Sequence, residues 1–345
     1  MPVVIAETTR GGITESIHHG VVVAVDATGE VIASAGNPET VVFFRSSAKP
    51  FQAIPVIESG AADAFGFTPA ELALCCASHE GSPEHQRQVA TMLAKIGMSP
   101  ADLQCGCPFP GHEAEAAQVI LGGIAGSPLH CDCSGKHAGM LATIVHEGLS
   151  HHDYLDPAHP LQQRILGIMA EVMRMPVGTI VLGTDGCSLP TFGAPVRAFA
   201  TAFAALAAPE RVPSSKGREH AAALNRLRAA MTAHPENVAG HGRFVTDLMA
   251  LSDGRIAAKS GAEGLICLAV PERDLGIAIR VMDGSFRSHA AVTVATLEQL
   301  GILDAASRGT ILERHSPRLR NHNGRLVGEI RPVFQLAGLE AVAVA

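Results

Sequence analysis

The sequence is poor in lysine, since only five of its 26 basic residues are lysines. Three of the five, Lys49, Lys136 and Lys259, lie among small residues, whereas arginine supplies most of the charge expected at the surface. A lysine amine can act as a base when burial or a neighbouring cation lowers its pKa. The scarcity of lysine therefore favours chemical roles for these three residues.

Long basic runs and long apolar runs are also absent. The net charge is −7, and without a basic run the chain lacks the charge pattern that binds nucleic acid or an anionic membrane. Residues 1–7 lack the charged and apolar regions of a signal peptide, and no apolar run reaches transmembrane length. We therefore expect a cytoplasmic protein with no nucleic-acid or membrane partner.

The composition is that of a compact globular enzyme, with 47% hydrophobic and 17% charged residues in a chain of 345. No internal repeat or low-complexity linker interrupts it. In a reducing compartment its eight cysteines do not favour a disulfide framework. Metal binding, catalysis and simple burial remain as their possible roles.

Ser46 and Lys49 form a Ser-x-x-Lys pair. Residues three apart share one face of a helix, so the lysine amine can reach the serine hydroxyl and act as its base. The pair is the first signature of penicillin-recognising serine hydrolases, and Lys259-Ser260-Gly261 is a close variant of their third, Lys-Thr-Gly. The alternative is that Ser46 only caps a helix, because 20 serines and five lysines give about 0.3 such pairs by chance.

The order of the predicted elements matches the order of these motifs. Hydrophobic periodicity and turn residues predict a strand hairpin at 18–35, a strand at 41–44, the Ser46 helix, mainly helices over 69–235 with a loop at 213–217, a second hairpin at 264–281, a helix at 288–300 and a last strand after Gly324. This order predicts an α+β fold, in which an antiparallel sheet is flanked by helices and a helical region is inserted, as in serine β-lactamases and penicillin-binding proteins. We expect one domain over 1–345, with its sheet part at about 1–60 and 240–345 and its helical part at about 61–239.

The densest group of reactive side chains lies between His130 and His137. Two thiols, two imidazoles, a carboxylate and an amine fall within these eight residues. Thiolates with nitrogen partners suit Zn²⁺, and the alternative is that the free cysteines are simply buried. On chemical grounds alone His137 is the expected nitrogen ligand. Cys187 is the best distant donor, because Asp185-Gly186-Cys187 follows the end of a predicted strand.

Two other polar groups are open to more than one interpretation. Ser78 follows an apolar helix within Ala-Ser-His-Glu-Gly, where it is either a second active-site hydroxyl or a residue that ends the helix. Cys105 and Cys107 have no evident partner in the sequence, and we expect them to be structural.

Taken together, these motifs resemble the rhizobial-type, or class 3, asparaginases of the asparaginase II family. The resemblance covers nearly the whole chain and is carried by Arg-Ser-Ser-Ala-Lys-Pro at 45–50, Ala-Ser-His-Glu-Gly at 77–81, Cys-Asp-Cys-Ser-Gly-Lys-His at 131–137, Gly-Thr-Asp-Gly-Cys at 183–187 and Lys-Ser-Gly-Ala-Glu-Gly at 259–264. It implies a cytoplasmic homodimer with a β-lactamase-like fold that hydrolyses L-asparagine to L-aspartate and ammonia.

The resemblance also implies the composition of the site. Two Ser-Lys pairs are implied, Ser46 with Lys49 and Ser78 with Lys259. A Zn²⁺ ion is implied that is held by Cys133, Lys136 and Cys187 together with water, so that Lys136 replaces His137 as the nitrogen ligand. A lysine can ligate a metal only after losing its proton, so the metal must hold Lys136 neutral.

From these residues we predict an amidohydrolase in which a neutral lysine takes the proton of the attacking serine. Ser46 is the favoured nucleophile because Lys49 is its helical neighbour, although two pairs leave the choice open. Arg45 and Asp185 are candidates for binding the carboxylate and ammonium of the substrate. His137 and Ser260 complete the predicted substrate-binding set.

Two other functions are weighed against this one. A β-lactamase or peptidase acting on cell-wall amides is disfavoured by the missing signal peptide and the missing Ser-Asp-Asn motif. A non-enzymatic zinc-binding protein would use the cysteine cluster only for structure.

Overall fold

The computed structural model of the chain describes residues 1–123, 125–212 and 218–339. The predicted loop at 213–217 lies outside the described residues. The strands of the described part are β1 (Val3–Arg10), β2 (Ile13–Val25), β3 (Val31–Ala35), β4 (Val41–Phe43), β5 (Val181–Thr184), β6 (Pro190–Pro195), β7 (Ala257–Gly261), β8 (Leu265–Val270), β9 (Leu275–Val281), β10 (Arg318–Arg320) and β11 (Leu326–Pro332).

The helices of the described part vary from one to four turns in length. They are α1 (Lys49–Gln52), α2 (Ile54–Glu58), α3 (Ala61–Ala64), α4 (Pro69–Cys75), α5 (Pro83–Lys95), α6 (Glu113–Gly122), α7 (Ser134–Glu147), α8 (Pro160–Met173), α9 (Val196–Ala207), α10 (Ala221–Ala233), α11 (Pro235–Val238), α12 (Phe244–Leu251), α13 (His289–Gln299) and α14 (Ala305–Arg314). None of these helices combines the length and the apolar character needed to cross a membrane.

The chain divides into two compact units. Unit 1 comprises Met1–Ser47, Ala194–Arg211 and Asp247–Ala345, and unit 2 comprises Ala48–Gly193 and Val212–Thr246. Helix α9 therefore belongs to the unit that contains the sheet, although it falls within the predicted helical part. The assignment of both units to one domain stays a prediction.

Unit 1 is built on an antiparallel sheet. Its strands follow the order β10-β11-β1-β2-β9-β8-β7, and β3 pairs with β2. Helix α9 packs on β2, β8 and β9. At Gly276 in β9 a Cβ atom would lie 1.9 Å from the carbonyl oxygen of Ala200, so only glycine permits this close approach. The predicted α+β class, an antiparallel sheet whose strands are separated in the chain by a helical region, is confirmed.

The stretch around the Ser-x-x-Lys pair is less regular than one α-helix. Residues Arg45–Ala48 form a 3₁₀ turn, and α1 begins only at Lys49. Residues three apart also align along a 3₁₀ helix, so the change of helix type preserves the shared face of the motif. Pro50 lies in the first turn of α1, where its missing N–H costs little. A break at Ala53 then separates α1 from α2, two residues before Pro55.

Unit 2 is mainly helical, and α4 and α7 lie in contact within it. Helix α7 is buried along its length from Ser134 to Ile144. Its glycines fit tightly against α4, because a Cβ atom at Gly135 would lie 2.5 Å from the carbonyl oxygen of Leu74, and one at Gly139 would lie 2.7 Å from Cys75 Sγ. Strands β5 and β6 form a separate antiparallel hairpin, with Val181 opposite Gly193. The first turn of α7 is therefore held at a fixed distance from the end of α4.

Candidate active site

Lys49 is the centre of a polar cluster in unit 2. Its side chain is fully buried. Its ammonium donates hydrogen bonds to the carbonyl oxygen of Ala77 at 2.6 Å and to Ser78 Oγ at 2.8 Å, and lies 3.4 Å from Asp132 Oδ2. A serine hydroxyl and a potential base are thus within hydrogen-bond reach of each other, which is the arrangement that activates a nucleophile.

The charge on Lys49 is controlled by its neighbours. Burial acts to lower the pKa of Lys49, but the negative charges of Cys133 and Asp132 act in the opposite direction, and the net shift is upward. The Asp132 side chain is 50% exposed, so this carboxylate lies at the solvent side of the cluster. Lys49 is therefore an ammonium in this arrangement, and it can serve as a base only after the surrounding negative charge is reduced.

Ser78 reaches Lys49 because the chain leaves its helix just before it. Helix α4 begins at a capping box formed by Thr68 and Glu71 and ends at Cys75. The backbone N–H of Ser78 then donates to the carbonyl oxygen of Val238 at 2.8 Å, and that of His79 donates to the carbonyl oxygen of Asp132 at 3.2 Å. The polar run after α4 thus forms a loop fixed at both residues, and the half-buried Ser78 hydroxyl is held in place.

Cys133, Lys136 and Cys187 meet in the same unit, as predicted for a metal site. All three are buried, and Lys136 Nζ lies 3.1 Å from Cys187 Sγ. A hydrogen bond with Cys133 and the charge of Lys136 lower the pKa of Cys187 to about 5. A hydrogen bond with Cys131 lowers the pKa of Cys133 to about 7, although burial opposes it. Thiols that ionise near neutral pH beside an amine fit the donor set that zinc prefers.

A second donor set overlaps the first. The ligand atoms of Cys131, Asp132 and Cys133 lie within 4.8 Å of one another. Cys131 also donates to the carbonyl oxygen of Cys105 at 3.4 Å, and the structural role expected for Cys105 stays a prediction. This region of unit 2 therefore has the ligands to hold a metal, and Cys133 belongs to both candidate sets.

His137 is buried beside the cluster with one ring nitrogen already engaged. Its Nδ1 lies 2.7 Å from the hydroxyl of Tyr154, which accepts a hydrogen bond from the backbone N–H of Gln104 at 3.0 Å. A phenol oxygen has two lone pairs, so the direction of its hydrogen bond with Nδ1 depends on the ring tautomer. Burial lowers the pKa of His137 to about 3, so the ring is neutral. Among the described residues, Nε2 has no hydrogen-bond partner.

Four of the other predicted site residues lie in unit 1, namely Arg45, Ser46, Lys259 and Ser260. Lys259 is fully buried in β7, opposite Cys267 in β8, and its amine donates to the carbonyl oxygen of Ser260 at 2.9 Å. The Ser47 hydroxyl donates to the carbonyl oxygen of Lys259 at 3.0 Å. Ser46 is half-buried in the preceding turn.

Arg45 and Asp185 are two of the predicted substrate-binding residues. Arg45 has a φ of 48°, a left-handed conformation that a non-glycine residue adopts only under constraint. Asp185 in unit 2 is half-buried, and its Oδ1 accepts the backbone N–H of Gly186 at 2.9 Å. The substrate-binding roles of both residues stay predictions.

Three residues that are important in this geometry have no role in the prediction from the sequence. Asp132 contacts Lys49, Tyr154 orients His137, and His79 lies between the Ser78 loop and α7. Asp132 and His79 were visible inside the motifs, so their positions beside cysteine and serine were a usable signal. Tyr154, the only tyrosine of the chain, gave no such signal.

One of the comparisons with known proteins identifies the family of the chain. The sequence profile of the L-asparaginase II family matches residues 6–332, and the chain belongs to this family. The predicted family is thereby confirmed, and the match supports an amidohydrolase of the asparaginase type. A search of curated protein sequences finds no significant match.

Solved structures show weaker likenesses. A β-lactamase from Mycobacterium bovis is 13% identical with a TM-score of 0.39, and the match covers 86% of this chain and 95% of that one. Mglu in its native form in 4.3 M NaCl is 15% identical with a TM-score of 0.37, covering 83% of this chain and 62% of that one. Mglu in its tris and glutamate form is 15% identical with a TM-score of 0.37, covering 88% and 65%. The chain thus spans less than two thirds of Mglu, and likenesses at these TM-scores assign no activity.

Proposed function

We propose that the protein hydrolyses the side-chain amide of L-asparagine to give L-aspartate and ammonia. The family match supports the reaction class. The observation that carries the proposal is the 2.8 Å hydrogen bond between Lys49 Nζ and Ser78 Oγ, since an amide carbon needs an activated nucleophile. Cytoplasmic location and a homodimeric assembly belong to the same proposal, and the homodimer rests on the resemblance alone.

In the proposed mechanism Ser78 attacks the amide carbon while neutral Lys49 takes the hydroxyl proton. Lys49 then gives that proton to the leaving nitrogen, which departs as ammonia. Water hydrolyses the resulting ester, with Lys49 again as the base, and L-aspartate is released. The pairings of Ser46 with Lys49 and of Ser78 with Lys259 stay predictions, and Ser46 remains the alternative nucleophile.

Zinc bound by Cys133, Lys136 and Cys187 would supply positive charge that neutralises the two thiolates. Lys136 would give up its proton to become a ligand. Because the Cys133 charge is among the causes that raise the pKa of Lys49, its neutralisation would shift Lys49 towards the neutral form that the mechanism requires.

The proposed substrate contacts use groups of opposite polarity. Asp132, half exposed beside Lys49, and Asp185 are the carboxylates proposed for the substrate ammonium. Nε2 of His137 is a buried polar atom that would find its hydrogen-bond partner on the substrate, which would offset the cost of leaving it unpaired. Arg45 and Ser260 are proposed for the substrate carboxylate and the oxyanion side of the site.

The experiment that tests the proposal is ammonia release from L-asparagine and L-glutamine, measured side by side with nitrocefin hydrolysis. We expect turnover of L-asparagine. Nitrocefin turnover without asparagine turnover would favour a β-lactamase. If the metal-loaded protein releases no ammonia and its chelated form unfolds, the zinc-binding alternative stands instead.

A further inference from the structure

His79 follows the proposed nucleophile directly and has no role in the mechanism above. Its side chain is only 1% exposed, and both ring nitrogens are engaged. Nδ1 lies 3.1 Å from the backbone nitrogen of Gly81, and Nε2 lies 2.9 Å from Ser134 Oγ. A buried histidine held at both nitrogens has one fixed orientation.

The direction of these hydrogen bonds follows from the partners. A backbone N–H can only donate, so Nδ1 of His79 accepts from Gly81 and carries no proton. The single ring proton is then on Nε2, which donates to Ser134 Oγ. The Ser134 hydroxyl in turn donates a hydrogen bond to the carbonyl oxygen of Leu129 at 3.5 Å. The His79 ring therefore links Gly81 to Ser134 through two hydrogen bonds. Its basic nitrogen is already occupied, so the ring cannot act as a base.

The two ends that His79 connects both belong to the proposed site. On one side it adjoins Ser78, whose hydroxyl accepts from Lys49. On the other side Ser134 opens α7, directly after Cys133 and two residues before Lys136. The backbone N–H of His79 also donates to the carbonyl oxygen of Asp132, so the loop is attached to this segment twice.

A neighbouring histidine offers a matched control. The His85 ring stacks on His79 with centroids 4.9 Å apart and planes 19° from parallel. It is also buried, but its own hydrogen bonds go to Ser82 Oγ and to the carbonyl oxygen of Glu236. His85 thus lies against one face of the His79 ring and makes neither of the bonds that reach α7.

We infer that His79 is a positioning residue that holds the Ser78 hydroxyl against Lys49 by tying the Ser78 loop to the first turn of α7. The inference rests on the proposed function, because it assigns His79 to the geometry of that reaction. Displacing a reacting group by about 1 Å can cost roughly 10²-fold in rate, so the Nε2 bond should control kcat.

Side-chain amides separate the two nitrogens of His79. Glutamine places an N–H near the position of Nε2, whereas asparagine places an oxygen near that of Nδ1. We expect His79→Gln to keep most of kcat, and His79→Asn to lose about 10²-fold in kcat with KM nearly unchanged. Ser134→Ala should resemble His79→Asn, and the double variant should be no slower than either single variant, because both remove the same bond. His85→Gln should lower the melting temperature without lowering kcat.

Each of these results has a counterpart that would overturn the inference. Equal kcat in His79→Gln and His79→Asn would remove the Nε2 bond from the reaction. If the losses of kcat in the two single variants add in the double variant, His79 has only a packing role. The same conclusion follows if His85→Gln loses kcat in proportion to its loss of stability.

Two further readouts keep this inference separate from the proposed function. The imidazole ¹⁵N shifts of His79 in the wild type should report an unprotonated Nδ1 and a protonated Nε2, whatever the protein hydrolyses, and the reverse tautomer would overturn the inference. If the wild type shows the expected tautomer but releases no ammonia from L-asparagine, the proposed function is wrong. The catalytic part of the inference then fails with it.

Discussion

The two fully buried lysines of the predicted site are held in different ways. Lys49 in unit 2 donates to groups from segments far along the chain, Ala77 and Ser78 on one side and Asp132 on the other. Lys259 in unit 1 lies within a strand, and its amine donates to the carbonyl oxygen of the next residue, Ser260. One lysine is positioned by acceptors that converge on it, and the other is positioned by the register of a sheet.

The difference separates a group that can respond to its surroundings from one that is fixed by its backbone. Anionic neighbours set the charge of Lys49, so metal binding, substrate binding or a mutation at Asp132 should all change its proton affinity. The position of Lys259 depends instead on the pairing of β7 with β8, where it faces Cys267. We therefore expect the proton-transfer role to follow Lys49 more closely than Lys259.

The largest expected effect distinguishes the two serines. Ser78→Ala should lower kcat by roughly 10⁴–10⁶-fold, the loss seen when a catalytic nucleophile is removed, while the fold remains intact. Ser46→Ala, the matched change in unit 1, should cost less. Ammonia release and circular dichroism of both variants provide the test. Near wild-type turnover in Ser78→Ala together with an inactive Ser46→Ala would return the nucleophile to Ser46, as the Ser-x-x-Lys motif alone predicts.

The next effect compares the lysines themselves. Lys49→Met should lower the rate by about 10²–10⁴-fold, because it removes the proposed base while keeping a side chain of similar length. Lys259→Met should have the smaller effect of the two. In the wild type the rate should fall as the pH drops, because only neutral Lys49 accepts a proton. A pH profile that is flat from about pH 6 to about pH 9, with the chemical step rate-limiting, would argue against a lysine base.

A smaller effect separates the buried thiols of the two units. Cys187→Ser should lose bound zinc and part of the thermal stability, since saturation at 100 times Kd contributes about 2.7 kcal/mol. Cys131→Ser and the unit 1 control Cys267→Ser should keep the metal. Mass spectrometric metal analysis and thermal unfolding measure both properties. Loss of zinc in Cys131→Ser with retention in Cys187→Ser would move the site to Cys131, Asp132 and Cys133.

The smallest effect tests how far charge clustering extends in unit 2. His220 lies 2.6 Å from Glu58 and 2.9 Å from Glu171. Burial acts to lower the pKa of His220, but the two carboxylates together raise this pKa by a larger amount, so the net shift is upward. The histidine therefore stabilises the fold fully below its unfolded pKa of about 6.5, and this stability is lost as the pH rises through the higher folded pKa.

The corresponding variant is His220→Gln. A partly exposed ion pair contributes about 0.2–1 kcal/mol, so we expect a small drop in melting temperature at pH 5 to 6 that disappears at alkaline pH. Melting curves of both proteins across this range provide the measurement. A difference that grows with pH would contradict the assigned charge.

Local patterns in the sequence were sufficient to predict many elements. The hairpin predicted at 18–35 corresponds to β2 and β3, the one at 264–281 to β8 and β9, and the strand after Gly324 to β11. Short apolar runs bounded by turn residues encode the two hairpins over a few positions. Strand β1 was not predicted. It is defined by its pairing with β2 and with β11, and β11 lies more than 300 residues away in the sequence.

The candidate site shows the same limit more sharply. The Ser-x-x-Lys motif drew attention to Ser46 and Lys49, which are three residues apart. The hydrogen bonds of Lys49 reach Ser78, 29 residues on, and Asp132, 83 residues on. Residue types identified the ingredients of the site, but the partner of each side chain depends on how α4 and α7 pack, and that packing has no signature within a short window.

The close contact between α4 and α7 also determines how this enzyme could be redesigned. Gly135 and Gly139 leave no room for a methyl group, so a saturation library that includes them would consist mostly of inactive members. Gly167 in α8 has nothing within 4 Å of an added Cβ, and alanine there should be tolerated. Few substitutions should therefore be tolerated on the inner face of α7, and more should be tolerated in α8. Variants with altered substrate specificity should be sought on the exposed side of the site, where Asp132 is in contact with solvent.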